Sequence, residues 1–272
     1  MDAPILCLDT ETATLRGAPH LLELGAVRFA DGEVVDTFER LVRPEVEIDP
    51  GATEIHGIRD MDVHDAATAP EVLEEFVEWA GDDWMAAHNS SFDARVLGFE
   101  FQRARMTPPD APMLDTLRLS RRFLPDSPDH KLDTLVAYLE LEDGDRHRAL
   151  PDAVWCFKVL EACMAEMPEP VTREALLAIC GRPVTIADQG PSGPGTMKQR
   201  WRPLVAACEG RGAGEVTLVY GNEGEPPVEL PVAPRLMYSA HKKGYLEAEC
   251  LTSGVLKTYR MDRIHRVRAR TR

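Results

Sequence analysis

Short apolar runs separated by turn residues fill the first fifth of the chain. Pro4-Ile5-Leu6-Cys7-Leu8 is a continuous apolar stretch that ends at Asp9, the pattern of a buried strand over Ile5–Asp9. Glu23–Ala30 and Glu33–Val42 follow, joined by the turn pair Asp31-Gly32, and the three runs predict an antiparallel meander. Pro44 stops the third strand. Within Ile48–Asp60, Pro50 suits the first turn of a short helix and Gly57 its end. Val72, Leu73, Phe76, Val77 and Ala80 recur at helical spacing and predict a helix over Pro70–Ala80. Trp84–Ala87 and Met113–Asp115 have the length and apolar character of short strands. Ser91–Arg105, Lys131–Leu139 and Ala149–Met167 carry helical patterns. Strands followed by alternating strands and helices predict an α/β fold with a mixed sheet flanked by helices.

The pattern changes after Pro168-Glu169-Pro170, which stops the long helix. Arg173–Cys180 is a further short helical piece, and the run from Gln189 to Gly195 has linker composition. Beyond it come four short strand patterns, Glu215–Tyr220, Val228–Ala233, Gly244–Cys250 and Leu256–Met261, consistent with a small five-stranded β-barrel. The expected organisation is a first domain over residues 1–168, a linker with one short helix over 169–195, and a small β domain over 196–272.

Charge sharpens this division. Of 31 basic and 46 acidic side chains, residues 1–195 hold 17 and 38, a balance of −21, and residues 196–272 hold 14 and 8, a balance of +6. The acidic body repels a phosphate backbone unless cations neutralise it locally, so the basic C-terminal part is the natural foothold for a polyanion. The plainer alternative is that its last stretch, RIHRVRARTR, is a solvated tail. No apolar stretch is long enough to cross a membrane, no membrane partner is expected, and no signal peptide is visible. The six cysteines include no CxxC pair, and Cys156 and Cys163 share an apolar helical face; packed thiols and a cytoplasmic location are expected.

Candidate chemistry lies in three segments: Asp9 and Glu11 in LCLDTET, Asp93 in HNSSFD, and His147 with Asp152 in HRALPD. Residues two apart on a strand share a face, so Asp9 and Glu11 can address one site while Thr10 points away. Mg²⁺ and Mn²⁺ are hard ions that take carboxylate oxygens, and a neutral imidazole is a competent base near physiological pH. Each acid alone has a structural explanation, as a strand end or as a helix-start acid favoured by the helix dipole. Their order and settings give them joint meaning.

That constellation resembles the DEDDh family of 3′→5′ exonucleases, over about residues 3–167. The resemblance implies a ribonuclease H-like sheet and two divalent ions, Mg²⁺ or Mn²⁺, per site. It implies that Asp9 bridges both ions, that Glu11 and Asp152 complete the coordination of the first ion, and that Asp93 supports the second ion. His147, five residues before Asp152, would be the general base. His56-Gly57-Ile58 is similar to the family's HGI segment beside the terminal nucleotide, and Thr10, Thr12, Asn89 and Phe92 join it as candidate substrate contacts. For Phe92, core packing is the stronger expectation.

Residues 200–268 resemble a WYL domain, a small Sm-like barrel, most specifically in YRMDRI. Gly244 and Leu230 depart from that pattern, at positions where tryptophan and arginine are expected. Lys257, Arg260 and Arg263 are candidate phosphate contacts there, or contacts to a nucleotide-like ligand. The functional expectation is hydrolysis of single-stranded 3′ ends, DNA favoured, releasing nucleoside 5′-monophosphates, with a DNA polymerase or repair protein as a conceivable partner. The alternatives are an RNA-directed enzyme resembling ribonuclease T, and a non-catalytic regulator acting through the C-terminal domain.

Overall fold

The computed structural model describes residues 4–30, 32–141, 147–193, 199–211, 214–221, 224 and 226–270. Two compact units divide at Gly190/Pro191.

In the first unit, β1 (Ile5–Thr12), β2 (Leu21–Ala30) and β3 (Glu33–Arg43) form the expected meander. Asp31 of the expected turn lies outside the described residues. The chain continues through α1 (Pro50–His56), α2 (Asp60–Val63), β4 (Ala67–Thr68), α3 (Ala69–Ala80), β5 (Trp84–Ala87), α4 (Ser91–Ala104) and β6 (Met113–Asp115). Then come α5 (Thr116–Phe123), α6 (Leu132–Tyr138), α7 (Ala149–Ala165), α8 (Arg173–Cys180) and α9 (Ile186–Gln189). The strands form one six-stranded mixed sheet in the order β4-β3-β2-β1-β5-β6, with β5 parallel to β1 and β6 parallel to β5.

The unbroken apolar run of β1 is explained by cover on both faces. Leu6 and Leu8 face a core built with α3 and α4, whereas Ile5 and Cys7 face a second core built with α5 to α8. The period of two therefore sorts the strand's later residues as well. Asp9 and Glu11 fall on the α7 side and Thr10 on the α4 side.

Several boundaries differ from the sequence pattern, for local reasons. Residues 169–190, expected as a linker, contribute α8 and α9 to the first unit, with Leu176, Cys180 and Ile186 buried in its cores. Gly98 of α4 makes room for α9, since a Cβ there would stand 2.7 Å from Gly190 Cα. The last two linker residues, 194 and 195, lie outside the described residues. Helix α5, which the apolar pattern did not mark, is started by Asp115, whose carboxylate accepts the Leu117 N–H at 3.1 Å.

The second unit has a 3₁₀ turn at Gln199–Trp201, α10 (Arg202–Cys208), and strands β7 (Val216–Tyr220), β8 (Val228–Ala240), β9 (Lys243–Cys250) and β10 (Val255–Arg260). A 3₁₀ turn at Met261–Arg263 leads into β11 (Ile264–Ala269), and the sheet order is β10-β9-β8-β7-β11, all antiparallel. β8 runs seven residues past its expected end because Pro234 sits at a register shift, where a missing N–H is tolerated. Within the basic stretch, Ile264–Ala269 is not a solvated tail: it is β11, paired along β7, while residues 271 and 272 lie outside the described residues. A side chain at Gly244 would meet Met261 Sδ at 3.0 Å, so the chain has filled with Met261 the space that a larger residue there would need. The core holds Trp201, Leu204, Leu218, Leu246, Tyr259 and Ile264.

Candidate active site

Three of the predicted carboxylates converge. One oxygen each from Asp9, Glu11 and Asp152 lies within 4.8 Å of the others, and all three residues are half-buried. β1 supplies the first two from one face, and the first turn of α7, packed on that face, supplies the third. Asp93 is fully buried and stands outside this tight group. It is held from the opposite face of β1 by Thr10, whose hydroxyl donates to Asp93 Oδ1 at 2.8 Å. The site thus straddles the end of β1, with one helix gripped from each side.

Crowding these acids in a confined space makes their charges costly. Burial first, then Asp93, Asp152 and Glu11, hold Asp9 well above the usual carboxylate range. Burial, then Asp152 and Glu23, push Glu11 up to about 8. Asp93 is raised to about 7 by burial against the opposing hydrogen bond from Thr10. Asp152 is raised to about 7 by burial and the neighbouring acids Asp133 and Glu23, offset in part by a hydrogen bond from the His147 backbone N–H. Asp152 Oδ1 is buried without a hydrogen-bond partner among the described residues.

His147 is exposed and adopts a left-handed backbone, φ +57°, just before α7. His56 is buried; its Nδ1 accepts the Ile58 N–H at 3.0 Å, and its Nε2 has no partner among the described residues. Burial lowers its pKa. Gly57 caps α1 in the left-handed conformation, as its place after the helix predicted. Ile58 is a core residue, 4% exposed, and does not present its side chain to a substrate. The Thr10 hydroxyl is committed to Asp93, and the Thr12 hydroxyl donates to the Thr14 carbonyl at 3.2 Å.

Asn89 is also left-handed, φ 66°, and its N–H donates to Asp115 at 3.1 Å. His88 bridges the Thr116 hydroxyl and the His130 carbonyl, so the His88-Asn89 pair fastens the loop that leads into α4. Phe92 corrects the core-packing expectation: it opens α4 and is 44% exposed. In the second unit Arg260 is ion-paired with Asp262 at 2.5 Å, whereas Lys257 is exposed and Arg263 half-buried.

Two residues of the site escaped the sequence reasoning. Glu23 lies opposite Glu11 in the β1–β2 register and is wholly buried. It accepts from Arg148 Nε at 3.1 and 3.0 Å, from Arg148 Nη2 at 2.5 Å and from the Ala149 N–H at 2.9 Å. The available signal was a lone acid inside an apolar strand pattern, paired through the hairpin with Glu11.

Residues 6–160 match the family model described as exonuclease. Similar curated proteins include the PolC-type DNA polymerase III of Oceanobacillus iheyensis, 38% identical over 146 residues, covering 53% of this chain and 10% of that protein. Its Bacillus subtilis counterpart is 34% identical over 146 residues, with the same shares covered. The chain therefore spans about a tenth of the length of these relatives. Among solved structures, exonuclease X in complex with 5′ overhanging duplex DNA is 27% identical, with a TM-score of 0.51, covering 66% of this chain and 99% of that one. E. coli exonuclease I in complex with a dA16 oligonucleotide is 14% identical, with a TM-score of 0.54 over 92% of this chain and 55% of that one. At that identity the likeness is one of fold alone.

Proposed function

The chain belongs to this exonuclease family, and from that premise we propose that it is a divalent-metal-dependent 3′→5′ exonuclease acting on single-stranded 3′ ends. The observation that carries the reading is the convergence of Asp9, Glu11 and Asp152, with Asp93 close by. The donor set fits a hard cation. Three carboxylate oxygens meet, Asp152 has a buried oxygen with no hydrogen-bond partner among the described residues, and burial with mutual repulsion makes the acids costly to ionise unless a positive charge joins them. Asp9, Glu11 and Asp152 would hold Mg²⁺ or Mn²⁺, and Asp93 would serve a second ion. Bound there, the ions would activate water and offset charge on the phosphate.

The chain's own residues then divide the work. His147, exposed and ordered by the α7 start, takes the proton of the attacking water. A phosphorus–oxygen bond forms to that water as the bond to the penultimate 3′ oxygen breaks, releasing a nucleoside 5′-monophosphate. The exposed ring of Phe92 is the contact offered to the terminal nucleotide, and the buried His56 would shape the wall behind it. We place the chemistry in residues 1–168 of a cytoplasmic enzyme. Residues 196–272, with a balance of +6, would act as a WYL-like barrel that recruits nucleic acid or senses a nucleotide-like ligand. DNA is favoured over RNA by comparison with the PolC-type DNA polymerases and the DNA-bound exonuclease X, each above 25% identical to this chain. The same resemblance supports a role beside a polymerase or repair partner.

The test uses 5′-labelled single-stranded DNA and RNA of one sequence, with Mg²⁺, Mn²⁺ or EDTA, beside Asp9→Ala. A ladder shortening from the 3′ end, lost with EDTA and in the variant, is expected, faster on DNA. A faster RNA ladder would transfer the assignment to the RNA-directed alternative. No cleavage of either strand would leave a nucleic-acid-binding regulator.

A further inference from the structure

Helix α7 carries Asp152, yet the side chain at its N-cap cannot cap it: the Arg148 guanidinium has no acceptor atom and makes no capping bond. The missing acceptor comes from another strand. The Glu23 carboxylate takes the Ala149 N–H, the first orphan donor of the helix, and the Arg148 guanidinium together. Two residues along the same face of β2, Gly25 lets the helix seat flush on the sheet. A Cβ there would stand 2.2 Å from the Ala149 carbonyl carbon and the Leu150 nitrogen. Arg148 is anchored at its other end too, because its carbonyl accepts the Asp152 N–H at 3.1 Å.

Resting on the exonuclease reading, we propose that Glu23 and Arg148 form a positioning clasp that sets the Asp152 carboxylate against Asp9 and Glu11 and holds His147 at the mouth of the site. The geometry is direct. Glu23 is the register partner of Glu11, so one end of the clasp adjoins a metal-binding carboxylate. The other end is the residue between His147 and the first turn of α7. A tilt of that turn moves Asp152 and His147 together. Arg148 also lies 4.0 Å from Glu39 on β3, which fans the clasp across two strands.

The decisive variant is Arg148→Ala, since positioning and plain electrostatics predict opposite signs. Removing a positive charge beside a cation site, with Glu23 left negative, should tighten cation binding on charge alone. Loss of positioning should weaken it. Mn²⁺ affinity, followed by the paramagnetic resonance of the free ion, is expected to fall about tenfold or more, with kcat falling about ten- to hundredfold and KM nearly unchanged. Arg148→Lys keeps the charge without the two-pronged contact and should recover only part of both losses. Glu23→Gln should reproduce the loss; if it fails to fold, the half-exposed Arg148 variants decide alone.

Folded Arg148→Ala protein with unchanged or tighter Mn²⁺ binding and unchanged kcat, altered only in melting temperature, would overturn the proposal. The exonuclease reading fails separately, if the parent protein binds Mn²⁺ but cuts no oligonucleotide. Mn²⁺ affinity would then judge the clasp by itself.

Discussion

Four carboxyl groups gathered about the end of β1 give the individual residues an unusual titration. Burial and mutual repulsion raise Asp9, and lift Glu11 to about 8 and Asp93 and Asp152 to about 7. A raised folded-state pKa means that the metal-free fold holds more protons than the unfolded chain between about pH 4 and 8. The stability these groups contribute is fully present below the unfolded carboxylate range and is lost as pH rises through the folded values. In EDTA the melting temperature should therefore fall between pH 5 and 8, and Mg²⁺ should restore it at the upper end. Asp9→Asn should flatten that fall and abolish cleavage, raising the metal-free melting temperature at pH 8 by roughly 2–4 °C per kcal/mol relieved. A thermal scan in both conditions checks this, and a variant that melts lower at pH 8 would contradict it. Among residues, the converging acids Asp9, Glu11 and Asp152 were legible because their types and order announce chemistry. Glu23 was not, because a lone acid in a strand reveals its importance only when the hairpin register and Arg148 are seen together.

At the scale of elements, period and punctuation carried most of the information. Trp84–Ala87, Met113–Asp115 and Arg173–Cys180 fall where apolar runs and prolines placed them. What local pattern could not show is which element meets which. Helix α9 falls in the segment expected as linker, yet Ile186 is wholly buried and Gly190 closely approaches α4 at Gly98. Gly98→Ala tests that contact. Its added carbon would stand 2.7 Å from the Ile186 carbonyl oxygen and Gly190 Cα, tighter than any relaxed contact. A loss of about 1–3 kcal/mol in urea unfolding is expected from overpacking. A neutral or stabilising result, as the better helix propensity of alanine alone would give, would mean that α9 does not dock there.

For the whole molecule, the division of charge matters most. The first 195 residues carry −21 and the rest +6. Part of that basic charge is already paired, as Arg235 with Glu249 at 3.0 Å and Arg268 with Glu229 at 2.6 Å. Lys257 and Arg266 are exposed and have no ion pair among the described residues. Deleting Pro191–Arg272 should leave cleavage of short oligonucleotides intact while weakening binding to long single strands and flattening its salt dependence. Measured by titration at several salt concentrations, an unchanged affinity and slope would remove the second unit from the nucleic-acid contacts.

The sequence by itself determined the types of the elements it marked, the strand order of the first meander and the identities of the acids, because these follow from residue chemistry and periodicities a few residues long. It also determined that Asp9 and Glu11 share a face, which the alternation of a strand imposes. Tertiary structure alone decided that Thr10 holds Asp93 from 83 residues away, and that Arg148 closes on Glu23 across 125. It alone decided that Phe92 is exposed and that residues 169–190 join the first unit's cores. Those outcomes depend on which surfaces meet when both faces of one sheet are covered, and no local pattern records that choice.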